Sequence, residues 1–121
     1  MKVKNITIKI ESLEESGKRF VEVYNKVSKG EKVEPQDILS FETEERMHQI
    51  LTKERLRILK AVREKEPKTI YAFAKLLKRP YANVFNDVKK LTEMGLLELG
   101  KENGSVQPKA KYDRINITIP L

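Results

Sequence analysis

Apolar residues along the chain follow two periods. From Lys2 to Glu11 they alternate, with Ile6, Ile8 and Ile10 on one side and Asn5, Thr7 and Lys9 on the other. That period predicts a half-buried strand. Ser12-Leu13-Glu14-Glu15 then has capping-box spacing, Phe20, Val23, Tyr24 and Val27 recur at helical spacing, and Gly30 closes the helix. Residues 30–36, GEKVEPQ, read as a polar connection. Ile38, Leu39 and Phe41 predict a short strand or extended segment, and Thr43 caps a short helix containing Met47, Ile50 and Leu51.

The second half of the chain is punctuated more sharply. Thr52 caps a helix from Lys53 to about Glu66, with Leu56, Ile58, Leu59 and Val62 apolar, and Pro67 ends it. Thr69 caps a shorter helix with Ile70, Phe73, Ala74 and Leu77 inward. Lys78-Arg79-Pro80 is a turn, and Pro80 suits the first position of a third helix that runs to Met94 with Val84, Val88 and Leu91 inward. Gly95 is the C-terminal glycine. Leu96, Leu97 and Leu99 start a strand, residues 101–111, KENGSVQPKAK, read as a loop turning at Asn103-Gly104, and residues 112–121 return as a strand with Ile115, Ile117, Ile119 and Leu121 on one face. The isoleucine alternation at both ends of the chain predicts that residues 3–10 pair with residues 113–119, within one chain or across a dimer.

Charge changes this picture more than composition does. Residues 1–51 carry 9 Lys and Arg against 10 Asp and Glu, a net of −1; residues 52–121 carry 16 against 8, a net of +8. The excess positive charge is confined to the part with the three sharply capped helices, which points to a polyanionic partner, most often nucleic acid. No apolar run reaches the roughly 18 residues of a membrane span, and the N-terminus reads as a strand, not a leader. The chain has no cysteine, so disulfides, thiolate metal sites and cysteine nucleophiles are excluded. A cytoplasmic protein is expected. A charged fraction of 36% with abundant Lys, Glu and Ile leans toward a thermophile.

Helix, short helix, tight turn, helix, glycine and basic hairpin, in that order, describe a winged helix-turn-helix. The expected fold class is therefore α+β: a three-helix core with a β-hairpin wing over residues 36–121, and a strand-helix extension over residues 1–35 that is a candidate dimerisation arm. In such a fold the third helix enters the major groove of DNA, so its first turns must carry side chains that reach base edges. Asn83 and Asn86 are three apart and share a helix face; an asparagine amide donates and accepts together on adenine. Tyr81 and the open amides of the helix N-terminus suit a phosphate. Lys89 and Lys90 lie further along, toward backbone phosphates. Arg79, with Lys75 and Lys78, adds charge at the turn, and Lys101, Lys109 and Lys111 charge the wing. Phe85 sits beside the buried stripe and is expected to pack on the second helix in preference to touching a thymine methyl or the sugar backbone.

The segments LTKERLRILKAV, TIYAFAKLLKRP, NVFNDVKKLTEMGLLEL and KYDRINITI, with SFE before the first of the three helices, resemble winged-helix transcriptional regulators of the ArsR and MarR kind. The nearest resemblance is to a group of small prokaryotic predicted regulators common in archaea. It covers residues 38–121. Position by position it implies a DNA-reading face at Ala82, Asn83, Phe85, Asn86 and Asp87. Regulators of this kind often carry Ser and Arg where this chain has Phe85 and Asn86, and Asp87 is acidic where DNA favours a neutral or basic residue. The metal-sensing members use Cys and His clusters; here there is no Cys and one His, so no metal site is expected.

The expected function is a sequence-specific double-stranded DNA-binding transcriptional regulator, a homodimeric repressor without cofactor. The alternative is a protein-interaction module, such as a DNA-binding antitoxin or a transcription-complex subunit, whose extension binds a protein partner. His48 with Glu44 supplies only two ligands, a poor metal site. Glu14-Glu15 and Glu44-Glu45 stand at helix starts and favour the helix dipole. No phosphate loop, nucleophile elbow or catalytic triad can be assembled, so no catalytic residue and no enzyme activity are expected.

Overall fold

The structure, a computed structural model, describes residues 3–102 and 104–121. It is an α+β fold, with five helices and five strands among the described residues. Contacts divide the chain into two units. One holds residues 51–113 with Val3 and Lys4; the other holds residues 5–50 and 114–121.

In the second of these, β1 (Asn5–Ile10) is the centre of a three-stranded sheet in the order β2–β1–β5, with β2 at Ile38–Phe41 and β5 at Arg114–Thr118. Both pairings are parallel: Ile8 stands opposite Leu39 on one side and Ile117 on the other. The pairing of the two isoleucine-rich termini is thus present within one chain, from Asn5 with Arg114 to Lys9 with Thr118. A parallel pair needs a crossover, and α1 (Leu13–Ser28) supplies it between β1 and β2. Ser12 caps α1 through its hydroxyl, which accepts from the Glu15 amide at 3.1 Å. At the other end Gly30 lies in the left-handed region at φ +78°. The short helix α2 (Glu44–Ile50) is capped by Thr43, whose Oγ1 accepts from the Arg46 amide at 3.1 Å. Its Met47 and Ile50 are buried, as are Ile6 and Ile8 of β1. The returning terminal strand is shorter than its alternation suggests, and Ile117, Ile119 and Leu121 are exposed.

The larger unit is built from α3 (Lys53–Lys65), α4 (Ile70–Leu77) and α5 (Tyr81–Glu93), packed with an antiparallel hairpin of β3 (Leu97–Glu102) and β4 (Ser105–Ala110). Thr52 and Thr69 cap α3 and α4 as their spacing predicts, accepting from Arg55 and Ala72 amides at 3.2 and 3.0 Å. Ile58 and Val62, then Phe73, Ala74 and Leu77, then Val84, Val88 and Leu91, form the core, closed by Leu96 and Leu97. Helix α5 ends in a Schellman motif: the Leu96 amide donates to the Leu91 carbonyl at 2.9 Å and the Gly95 amide to Thr92 at 3.0 Å, with Gly95 at φ +78°. Asp113 receives the Lys4 amide at 2.8 Å and the Arg63 guanidinium at 2.9 and 3.1 Å, so the residues just before β1 and β5 are tied to α3.

The hairpin corrects the sequence reading. Residues 101–111 were expected to be a loop, with the return strand beginning at Tyr112. Instead the return strand is Ser105–Ala110, in register from Leu97 with Ala110 to Glu102 with Ser105. Lys101 and Lys109 therefore stand on strands, and β5 leaves the hairpin for the other sheet. The apolar signal was absent because the two buried residues of β4 are Gln107 and Pro108; Gln107 Nε2 donates to the Pro67 carbonyl at 3.1 Å. The expected turn at Asn103-Gly104 falls partly outside the described residues; Gly104 itself is at φ +80°.

Candidate functional site

Helix α5 has two unlike faces. Val84, Val88 and Leu91 are buried, with at most 1% exposure, and fix which side turns outward. On the 3.6-residue period the opposite side carries Ala82, Asn83, Asn86 and Lys89, with Phe85 at its edge, and all five are exposed. The Asn83 and Asn86 side chains take no part in any hydrogen bond among the described residues. The helix starts after Pro80, and no side chain caps it. The Asn83 amide donates to the Pro80 carbonyl at 3.1 Å, so the open amides at the positive end of the helix dipole are those of Tyr81 and Ala82.

Asp87 does not belong to that outward face. Its Oδ1 accepts from Arg55 Nε of α3 and its Oδ2 from Arg79 Nη1 of the α4–α5 turn, both at 3.1 Å. All three side chains are largely covered, with 15–22% exposed. Arg79 also stands 3.7 Å from Glu54. The position that seemed unfriendly to DNA is instead the carboxylate that pins α5 to α3 and to the turn. Arg79, expected to add charge at the turn for a DNA partner, is turned into the same network.

A second feature was not expected. Tyr81, 48% exposed, stacks on Phe85, 40% exposed, with ring centroids 5.9 Å apart and planes 25° apart. Tyr71 of α4 adjoins Tyr81 at 6.4 Å, and Lys75 Nζ lies 4.8 Å over the Tyr71 ring. Phe85 is thus part of an exposed aromatic row running from α4 to α5. Periodicity shows that Tyr71 points away from Phe73, but not that it meets Tyr81, which depends on how α4 and α5 cross.

The remaining cations are dispersed. Lys78 is exposed and holds the left-handed conformation at φ 57° in the α4–α5 turn. Lys89 is exposed and Lys90 half-buried. On the hairpin Lys101 and Lys109 are exposed, and Lys109 lies across Gly100: a Cβ there would sit 2.8 Å from its Cε. Lys111 is half-buried, with Nζ 5.7 Å from the Tyr112 ring centre. The lone histidine, His48, lies 3.5 Å from Glu44. Among the described residues no group of three or more His, Cys, Asp or Glu side chains could hold a metal ion, and no helix is long and apolar enough to cross a membrane.

The smaller unit carries one conspicuous surface of its own. Helix α1 has no buried residue, although Leu13, Phe20, Val23, Tyr24 and Val27 lie along it. Phe20 is 71% exposed. Phe20, Val23 and Val27 border an open groove whose other wall is Val33, Pro35 and Ile38. Near its start, Arg19 Nη1 donates to both oxygens of Glu11, at 2.5 and 2.6 Å, and Ser40 Oγ donates to the same carboxylate. These bonds hold the Glu11 carboxyl below its ordinary range: the Arg19 bond contributes most, then the Ser40 bond, against an opposing push from burial.

The HVO_A0114 family model covers residues 50–117, more than half of the chain, from the end of α2 into β5. The chain belongs to that family. No curated protein matches it.

Proposed function

We propose that this member of the HVO_A0114 family is a sequence-specific, double-stranded DNA-binding transcriptional regulator of winged helix-turn-helix type, acting as a homodimeric repressor in the cytoplasm. In this reading α3, α4 and α5 are the three-helix core, β3 and β4 the wing, and α5 the helix that enters the major groove. The observation that carries it is the outward face of α5. Two asparagine amides and a small alanine stand opposite a fully buried stripe, in the unit that holds the excess positive charge. Asn83 and Asn86 read base edges. The open N-terminus of α5 and Tyr81 hold a phosphate. Lys75, Lys78, Lys89, Lys101 and Lys109 supply counter-charge along the backbone. Repression follows from occupancy, since a protein seated on a promoter excludes polymerase. A homodimer would place two α5 helices on half-sites roughly 34–36 Å apart.

The test is a gel shift with duplex from upstream of the protein's own gene against random duplex, near ~150 mM salt, repeated across a salt series. If each dimer neutralises about 6–10 phosphates, affinity falls about 10³–10⁵-fold from roughly 50 to 200 mM. A flat salt response, or equal retention of both duplexes, contradicts the proposal.

A second reading is favoured by one observation, the uncovered apolar face of α1. A helix of this length gains most of its stability from packing, so that face suits a partner. In this reading the protein is an interaction module, such as a DNA-binding antitoxin or a transcription-complex subunit, and residues 13–38 hold a protein partner. Isolation from its native cells with a stoichiometric protein bound through Phe20 favours this reading; a clean homodimer favours the first.

A further inference from the structure

We infer that the α5 face discriminates A·T base pairs through the 5-methyl group of thymine, with Phe85 as the residue that senses it. This rests on the reading of α5 as a DNA-reading helix and names what it selects. An A·T pair shows the major groove a methyl group on thymine beside the N6 donor and N7 acceptor of adenine, a combination of apolar and amide-matching groups that no other pair offers. The outward face of α5 has the same two halves. Phe85 is apolar at one edge, Asn86 and Asn83 are amides toward the other, and Ala82 between them is small enough for a base edge to approach.

Two further observations sharpen the assignment. Phe85 does not stand alone. Its ring is stacked on Tyr81 at 5.9 Å, and Tyr81 is braced by Tyr71 at 6.4 Å, yet 40% of Phe85 is still exposed. An aromatic edge that is half-open yet stacked on its neighbours is a partly preorganised apolar contact for a methyl group. The commonest reader of guanine is a bidentate arginine, and the nearby arginines are committed elsewhere: Arg55 and Arg79 both bond Asp87. The network that fixes α5 thus withdraws these two arginines from G·C reading.

The experiment selects duplexes from a randomised pool with the wild-type protein, then replaces thymine by deoxyuracil in the selected duplex. That exchange removes the methyl and nothing else. The expected result is a site containing A·T pairs whose affinity falls about fourfold for each contacted methyl removed, the effect of uncovering about one carbon. Phe85→Ala, at an exposed position that leaves the fold intact by circular dichroism, binds the thymine duplex more weakly and no longer distinguishes thymine from deoxyuracil. Phe85→Leu keeps the distinction. Equal affinity of the wild type for thymine and deoxyuracil duplexes, or an equal loss on both from Phe85→Ala, overturns the inference while leaving DNA binding intact. Failure of the wild type to retain any duplex overturns both the inference and the reading beneath it.

Discussion

Arg79 donates a hydrogen bond to Asp87 across the turn that joins α4 to α5, with Nη1 and Oδ2 3.1 Å apart, and Arg55 of α3 holds the other oxygen of the same carboxylate at 3.1 Å. One carboxylate therefore sets the angle at which α5 leaves the turn. Electrostatics alone suggests that neutralising an acid beside a DNA-reading face tightens binding. The geometry predicts the opposite. Asp87→Ala leaves two partly covered guanidiniums without their partner, and should lower stability by about 2 kcal/mol in urea denaturation. It should also weaken DNA binding, because α5 loses its anchor. Tighter binding by Asp87→Ala would show that the carboxylate acts on DNA as a simple repulsive charge.

Lys78 and Glu66 both close helices in the left-handed conformation, at φ 57° and 46°. A side chain there costs about 1–2 kcal/mol, and glycine avoids most of it. Lys78→Gly and Glu66→Gly should each raise stability by about 0.5–1 kcal/mol. They should differ in function. Lys78→Gly removes a cation beside the α5 N-terminus and should reduce the salt slope of DNA binding by about 1. Glu66→Gly should leave the slope unchanged. Equal slopes for the two variants would remove Lys78 from the interface.

Much of this architecture was legible in the sequence, and the part that was not has a physical pattern. Thr52, Thr69 and Gly95 act locally, each through backbone groups within a few residues, so their spacing alone marks the ends of α3, α4 and α5. The terminal strands were legible because isoleucine alternates along both. Residues 105–110 were not, because a strand that buries only Gln107 and Pro108 carries no apolar period. Nor was the role of Asp87, 32 residues from Arg55. A carboxylate on a polar-looking helix face is ambiguous until tertiary packing brings its cations to it. The Tyr71–Tyr81 contact escaped for the same reason, whereas Tyr81 and Phe85 stand four apart on one helix.

Glu11 links β1 to α1 and carries a pH signature. Because Arg19 and Ser40 lower its folded pKa, its contribution is fully present above the ordinary value of 4.5 and is lost as pH falls through the lower, folded value. The protection of the Glu11 amide, whose N–H donates to the Phe41 carbonyl at 2.9 Å, should fall on that acid limb in the wild type once exchange is referred to the intrinsic rate at each pH. Glu11→Gln should show the lower protection already at neutral pH and a flatter dependence on acid. An identical pH profile for the two proteins would contradict the assigned role.

Phe20 tests the surface of α1. At 71% exposure it contributes little to the fold of a single chain, so Phe20→Asp should change the stability of the dilute protein by less than about 0.5 kcal/mol. It should abolish association through α1, shifting the sedimentation coefficient toward that of a monomer. A large loss of stability with no change in association would mean that α1 is covered within its own chain.

The central claim is that the outward face of α5 reads duplex DNA, and the most direct measurement is the affinity of the wild type, Asn83→Ala and Asn86→Ala for a selected site and a scrambled duplex at one fixed salt concentration. The account predicts that at least one alanine variant loses about 1–3 kcal/mol on the selected site and almost nothing on the scrambled one. An equal loss on both duplexes, or none on either, would contradict it.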